Sequence, residues 1–375
     1  MRVLVAGIGG ASLGTELLKC LQLAGIYDVF GCDISPYAFG HYQGGTIETF
    51  VVPVDGYADA VLDLCRRNAI SWVIPGGEEP LRLLSGSADR FQRVGVRIAA
   101  NRPDVVATCS HKAALFTRLA QLGVPVPWTA IVSDIEAFAR RTDVPTPCVV
   151  KPATGSGGSA FVYLANSLAE ARAHVAWLLE NGRTPLVQQY LPVDDGEFTV
   201  GVLSRPDGSL IGSIALQRLF HAKLSVQQRV EAGLISSGYS QGLIDDFPAV
   251  RAQAERIAEA LDSAGPLNIQ GRLRNGTLYP FEINPRFSAS VYLRAMAGFN
   301  EVDAFLHEAQ SPSPLAGPQS PSAVAGPQSP SPLRGGPGRG SFTIRPGYYL
   351  RSLDEVFVPK SAIKSDAESG VRPAA

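Results

Sequence analysis

The sequence predicts a chain of mixed α/β and α+β class: a parallel, helix-covered sheet first, then a larger portion built from antiparallel hairpins. Three observations carry this. Short apolar, β-branched runs alternate with amphipathic stretches from Arg2 to about Ile98, the pattern of strands buried on both faces by helices. Beyond Pro127 the pattern changes to paired strands joined by Gly- and Ser-containing turns, which read as hairpins. After Gln310 the composition collapses into Ser, Pro, Gly and Ala, too poor in apolar surface to offset the entropy of ordering.

In the first part, residues 3–6, 28–33, 50–53 and 72–75 read as strands, with helices at 13–23 and 58–67. This order is Rossmann-like and is assigned to a domain of residues 1–108. A helix over 110–122 is closed by Gly123 and broken by Val124-Pro125-Val126-Pro127. It opens a second domain, 109–310. There 148–152, 160–164, 186–190, 198–203, 210–216, 267–273 and 278–283 read as strands, and 248–264 as a helix. The heptapeptide Ala-Gly-Pro-Gln-Ser-Pro-Ser begins at Ala316 and again at Ala325, so 311–340 is expected to be a disordered linker. A partly ordered segment, 341–375, resumes near Phe342 and Tyr348.

Charge and composition narrow the function. The 33 basic and 34 acidic side chains leave a net charge of −1, which gives no general electrostatic reason to bind nucleic acid or an anionic membrane. No uncharged apolar run approaches the ~18 residues needed to span a bilayer, and the apolar start at Val3 is shorter than a signal-peptide core. Five scattered cysteines never fall in Cys-x-x-Cys spacing; they read as buried free thiols of a cytoplasmic protein.

Four stretches carry chemistry. Gln270-Gly271-Arg272 and Phe281-Glu282-Ile283-Asn284-Pro285-Arg286 lie on neighbouring strands, where alternation puts Gln270 with Arg272, and Glu282 with Asn284 and Arg286. Phe281 and Ile283 are expected to point into the core. One carboxylate and two amide oxygens suit Mg²⁺, and the arginines suit a phosphate or carboxylate; a hairpin with a polar solvent face has the same pattern. Lys151 runs into Thr154-Gly155-Ser156-Gly157-Gly158-Ser159, whose backbone N–H groups can close on an anion, or which is simply a flexible turn. It lacks the Gly-Lys-Ser/Thr ending of a P-loop. Gln188-Gln189-Tyr190-Leu191 followed by Glu197 offers a strand end to a purine and a carboxylate to a ribose. Lys112 starts the helix before Gly123.

In this order the four stretches resemble the ATP-grasp superfamily, and within it the carbamoyl-phosphate-synthetase-like carboxylate–amine ligases, over roughly residues 2–308. The resemblance implies a Rossmann-like pre-ATP-grasp domain followed by a two-subdomain ATP-grasp fold. It implies ATP and Mg²⁺ (or Mn²⁺) as cofactors and an acyl phosphate made from a carboxylate and passed to an amine, with release of ADP and phosphate. The partners implied are small-molecule carboxylate and amine substrates, an amino acid or small peptide among them, with a homodimer as the common assembly. Lys112 and Lys151 then grip the phosphates, Thr154, Gly155, Ser156, Gly157 and Gly158 close over them, Gln188, Gln189 and Leu191 meet adenine, and Glu197 meets the ribose. Gln270, Glu282 and Asn284 match the metal ligands, and Arg286, with Lys151, faces the transferred phosphoryl group. Gln188-Gln189 departs from the Glu or Glu-Lys of many relatives.

On the substrate side, Arg272, Arg218 and Glu78 are candidates. Arg218 belongs to a basic stretch with His221, Lys223 and Arg229; Glu78 and Glu79 follow Gly76-Gly77 at a strand end, where acids also suit a helix N-terminus. Two other functions remain open from the sequence. The Gly7–Gly14 turn, with Asp33 ending the next strand, suits an NAD(P)-binding oxidoreductase, although the spacing from Gly7 does not satisfy Gly-x-Gly-x-x-Gly. A non-catalytic nucleotide-binding protein with a partner-recruiting tether is the other.

Overall fold

The computed structural model describes residues 1–10, 12–154, 160–221, 223–230, 233–308 and 342–364. Gly155, Ser156, Gly157, Gly158 and Ser159, and the expected linker 311–340, lie outside the described residues.

The first part runs β1 (Arg2–Ala6), α1 (Leu13–Ala24), β2 (Asp28–Asp33), β3 (Glu48–Val51), α2 (Tyr57–Arg67), β4 (Trp72–Pro75), α3 (Glu78–Ser85), α4 (Ala88–Gln92) and β5 (Arg97–Ile98). Its five strands pair in parallel in the order β3-β2-β1-β4-β5. β1, apolar and buried after Arg2, and fully buried β4 lie in the interior of the sheet, where both faces are covered. The order reverses between β1 and β4, so the turns after these strands form the crevice in which such sheets bind ligands. That crevice is packed tightly: a Cβ at Gly14 or at Gly76 would lie 1.8 Å from the Gly7 carbonyl oxygen. Asp33, the residue a ribose would need, accepts from Ile8 N at 2.8 Å and Ser35 N at 3.0 Å. The glycine turn is thus occupied with holding β1, α1 and β4 together.

Helices α5 (Pro103–Ser110) and α6 (Lys112–Gln121) follow. The expected helix over 110–122 is α6; α5, which was not expected, runs across the expected boundary at 108. Val105 and Cys109 of α5 share a core cluster with α6 and the second half of the chain. Next come β6 (Thr129–Ile131), α7 (Ile135–Ala139), β7 (Cys148–Pro152), β8 (Tyr163–Ala165), α8 (Leu168–Glu180) and β9 (Pro185–Gln189). They form a four-stranded antiparallel sheet, β6-β9-β7-β8, backed by α8.

The last part contains β10 (Glu197–Ser204), β11 (Leu210–Arg218), β12 (Val226–Val230), β13 (Gly233–Ser236), β14 (Gly242–Asp245), α9 (Pro248–Ala260), β15 (Pro266–Arg274), β16 (Thr277–Asn284), α10 (Val291–Met296), α11 (Glu301–Glu308) and β17 (Gly347–Tyr349). Six strands form one antiparallel sheet, β16-β15-β10-β11-β14-β17, and β12-β13 is a separate hairpin. The returning C-terminal strand is at 347–349; Phe342 to Ile344 pack without forming a strand. The strands β12, β13 and β14 were not expected: β12 begins inside the stretch read as a basic turn, and β13 and β14 lie beyond it.

The two halves share a core. Leu17, Leu18 and Leu21 of α1 cluster with Leu216 of β11, Leu293 of α10 and Phe305 of α11, and Asn300 Nδ2 donates to the Cys20 carbonyl at 2.8 Å. All five cysteines are free and buried. Among the described residues no helix is long and apolar enough to cross a membrane.

Gly14→Ala tests the close packing at the β1–β4 crevice. Helix propensity alone predicts a gain of up to ~1 kcal/mol for alanine inside α1. The clash with Gly7 predicts instead a loss of about 1–3 kcal/mol, read from urea unfolding; a gain would contradict the packing argument.

Candidate functional site

A solvent-open cleft, whose roughly 680 Å³ of empty space includes open solvent, lies between the four-stranded and six-stranded sheets. Its apolar walls include Val149, Val162, Leu191 and Ile235, and its polar end brings together Lys112, Lys151, Gln188, Gln270 and Glu282. Lys151 comes from β7, and its side chain is 5% exposed. Its Nζ donates to Gln188 Oε1 at 2.9 Å and to the Phe281 carbonyl at 3.0 Å, and lies 5.4 Å from the Phe116 ring centre. Burial, then the nearby Lys112 charge, pull its ammonium down to about 7, with Glu282 opposing and Arg272 adding to the fall. Lys112 reaches the same space from the first residue of α6, whose N–H donates to the Ala153 carbonyl at 2.9 Å.

The register of β15 against β16 explains how the polar end is built. Asn268 pairs with Asn284, Ile269 with Ile283 and Gln270 with Glu282, after which the register slips so that Gly271 pairs with Pro280. Gln270 and Glu282 therefore share one face. Phe281 is the extra residue of this bulge, and a bulged residue leaves the ladder and re-aims its side chain. Ile283 is buried as expected, but Phe281 is not in the core: it lines the cavity and hands its carbonyl to Lys151. Asn284 Nδ2 donates to Glu282 Oε1 at 3.3 Å, which leaves Asn284 Oδ1 free for other partners. One carboxylate and two amide oxygens are hard donors of low total charge, a set that fits Mg²⁺ only where phosphate oxygens complete it. Consistently, among the described residues no three His, Cys, Asp or Glu side chains cluster as a metal site.

Asn284 and Arg286 follow Glu282 in sequence and are not among the residues that line the cavity. Arg286 Nη1 donates to the Phe287 carbonyl at 2.9 Å, and Nη2 to Glu78 Oε1 at 3.1 Å. Glu78, expected on the substrate side, is half-exposed and holds Arg286 across the β4 crevice.

Three expected ligand contacts are corrected by the hinge. Glu197 is fully buried, and its Oε2 accepts from Arg272 Nε at 2.8 Å while Arg218 Nη1 lies 3.5 Å from Oε1. Its carboxylate is committed to two guanidinium groups, not offered to a ribose. Arg272 also donates through Nη1 to the Leu191 carbonyl and through Nη2 to the Leu234 carbonyl at 3.0 Å, and lies 4.6 Å from the Tyr190 ring centre. It forms part of the cavity wall, but its donors fix the hinge and β13. Arg218 donates to the Ser237 and Tyr239 carbonyls at 2.8 and 3.1 Å. It holds the loop after β13 and does not face a substrate.

Gln188 uses its amide oxygen for Lys151 and its Nε2 for Thr129 Oγ1 at 3.1 Å, so its side chain supports the lysine and does not reach for adenine. Gln189 and Leu191 line the cavity. Among the described residues Leu191 N–H has no partner, which leaves one backbone donor at the hinge. Thr154 is exposed and is not part of the cavity wall. Three residues of the basic stretch go different ways: Arg218 is buried, His221 is exposed, and Arg229 Nη2 donates to the Phe220 carbonyl at 3.1 Å. Ile235 and Ser236 of β13 line the cavity and were missed; the apolar run Leu234-Ile235 is the signal that a strand lies there.

A family model described as "ATP-grasp in the biosynthetic pathway with Ter operon" matches residues 182–325. The carbamoyl phosphate synthase large chain of Mesorhizobium japonicum is 26% identical over 277 residues, 64% of this chain and 23% of that protein. The chain spans about a fifth of the length of the curated relatives it matches. Among solved structures, the L-amino acid ligase from Bacillus licheniformis has a TM-score of 0.59 at 16% identity, covering 82% of this chain and 73% of that one. A biotin carboxylase complex from Campylobacter jejuni has a TM-score of 0.61 at 13% identity, covering 85% and 72%. These two likenesses show the fold.

The Lys151 site makes stability pH-dependent. Its folded value of about 7 lies below the ordinary 10.5, so below pH 7 the fold carries the whole cost of burying the ammonium. Between about pH 7 and 10.5 the unfolded chain binds more protons than the folded one, and stability rises with pH. Lys151→Met removes this dependence. Whatever constant offset its lost hydrogen bonds add, the melting temperature of Lys151→Met relative to wild type falls as pH rises across that window; a difference constant with pH would contradict the burial argument.

Proposed function

We propose that the chain is an ATP-grasp ligase, dependent on ATP and Mg²⁺, that joins a carboxylate to an amine; the family model over residues 182–325 supports this reading. The observation that carries this reading is the buried Lys151 ammonium, which lines one cavity with Glu282, Gln270 and the apolar side chains of Val149, Val162, Leu191 and Ile235. An adenine fits between Val149, Val162, Leu191 and Ile235, with the unpartnered Leu191 N–H as its donor at the hinge. The phosphates then reach Lys112 and Lys151, whose positive charges answer theirs.

Gln270, Glu282 and Asn284 would hold Mg²⁺ against the phosphate oxygens, and Mn²⁺ is the substitute such oxygen donors accept. When bound, the ion neutralises charge on the phosphates. In the first step the substrate carboxylate oxygen attacks the γ-phosphorus, the bond to ADP breaks, and an acyl phosphate forms. In the second the amine attacks the acyl carbon, inorganic phosphate leaves, and the amine gives up a proton. Lys151 and Arg286 are proposed to hold the moving phosphoryl charge in place, since such transfers depend mainly on positioning and charge neutralisation. An amino acid or small peptide is the proposed substrate class, supported by the amino acid ligase of the same fold.

ADP release, screened over amino-acid pairs with mass spectrometry of the products, tests the reading. Wild type releases ADP with at least one pair and forms an adduct lighter than the sum of its substrates by one water. Glu282→Gln lowers turnover by about 10²–10³-fold, the scale for loss of one charge-stabilising group, while an ATP analogue still binds. Undiminished turnover in Glu282→Gln would remove the metal role, and ATP binding without product under every pair would remove the ligase.

A further inference from the structure

Residues 342–364 cross back over both halves of the molecule. Phe342 stacks on Phe299, with ring centres 3.9 Å apart and planes within 9°. Gly298 has φ +106°, and a Cβ there would meet the Thr343 carbonyl oxygen at 2.3 Å, so a residue with a side chain would unseat the segment. Arg345 N donates to the Ala297 carbonyl at 2.8 Å. β17 then extends the six-stranded sheet beyond β14, with Tyr349 opposite Gly242. Further on, Asp354 meets Lys19 of α1 at 3.0 Å, and Lys364 N donates to the Tyr42 hydroxyl at 3.1 Å.

Arg351 lies two residues past β17 on this strap. Its N–H donates to Gln241 Oε1 at 3.1 Å, and its Nη2 donates both to Glu16 Oε2 at 3.1 Å and to the Ala289 carbonyl. The Arg351 and Glu16 side chains are each 9% exposed. Ala289 sits in the turn between β16 and α10, the turn that carries Arg286. On its other side the same turn is held by the Glu78–Arg286 pair. Ser288 and Ser290 hydroxyls, 2.8 Å apart, brace it only from within.

We propose that Arg351 is a positioning residue for the ligase reaction: by bridging Glu16 and the Ala289 carbonyl, it fixes the turn that presents Arg286 to the transferred phosphoryl group. The inference rests on the proposed ligase function. A guanidinium suits the task because the two hydrogens of one terminal nitrogen, fixed in the guanidinium plane, serve a carboxylate and a carbonyl together, whereas an ammonium is a freely rotating point charge. Sub-ångström placement matters at such a centre because small displacements of reacting groups cost rate steeply.

The test uses the full chain with Arg351→Ala and Arg351→Lys, read by ADP release, by binding of an ATP analogue and by hydrogen exchange. For Arg351→Ala, kcat falls ~10- to 100-fold while analogue binding changes by less than about twofold, the pattern of a misplaced transition-state group. Free guanidinium added to the assay restores part of kcat, and Arg351→Lys lies between the two. Exchange quickens over 285–297 and is unchanged in β15. Should Arg351→Ala fail to fold, Glu16→Gln weakens the same bridge and carries the same expectations. Unchanged kcat together with unchanged exchange over 285–297 overturns the positioning role and leaves the ligase standing, because wild type still turns over. A wild type that releases no ADP with any amino-acid pair overturns both.

Discussion

A lysine ammonium buried with carbonyl-type oxygens as its hydrogen-bond partners is the constraint on which the site depends. Lys151 is held by the Gln188 amide and the Phe281 carbonyl, two neutral acceptors, with a second lysine among its electrostatic neighbours. Desolvating a positive charge whose hydrogen-bond partners are neutral is costly, and the Glu282 charge offsets it only in part. An anion in the cavity offsets this cost, so the same burial supplies a reason to bind polyphosphate. Three separate elements must be in register for this: β7 for the lysine, β9 for Gln188, and the bulge in β16 for the carbonyl.

Around that centre, buried ion pairs fix the neighbouring walls. Glu197 gathers Arg272 and Arg218, and through them the hinge at Leu191, the start of β13 at Leu234 and the loop at Ser237 and Tyr239. Behind the β15–β16 pair, Arg294 is fully buried with Glu301, Thr199 and Asn268, and Asn268 stands directly across from Asn284. A buried pair of this kind is weak evidence for stability; what it specifies here is where the strands that bear Glu282 and Asn284 sit. The core shared by α1, β11, α10 and α11 keeps the first sheet's crevice beside Arg286.

Much of this was legible in the sequence, and for a physical reason. Strand alternation and local spacing place Lys151, Gln270 and Glu282 without knowledge of distant contacts, and the parallel sheet follows from apolar runs between helices. What escaped depends on pairing between residues far apart in sequence. The partners of Glu197 are 21 and 75 residues away, so an acid that suits a ribose by position is instead spent on two arginines. Phe281 reads as core by alternation, and only the bulge turns it outward. The Gly7–Gly14 turn reads as a dinucleotide site until the Gly76 backbone is seen filling its crevice. Arg351 lies beyond a repetitive stretch that gives no local sign of the return to α1.

A crystal structure with a non-hydrolysable ATP analogue and Mg²⁺ tests the central claim most directly. The account predicts the analogue between the two antiparallel sheets, with Lys151 Nζ about 2.7–3.2 Å from a phosphate oxygen and Leu191 N–H on the adenine edge. Nucleotide seated instead on the Gly7–Gly14 turn, with Lys151 still bound to the Phe281 carbonyl, would contradict it.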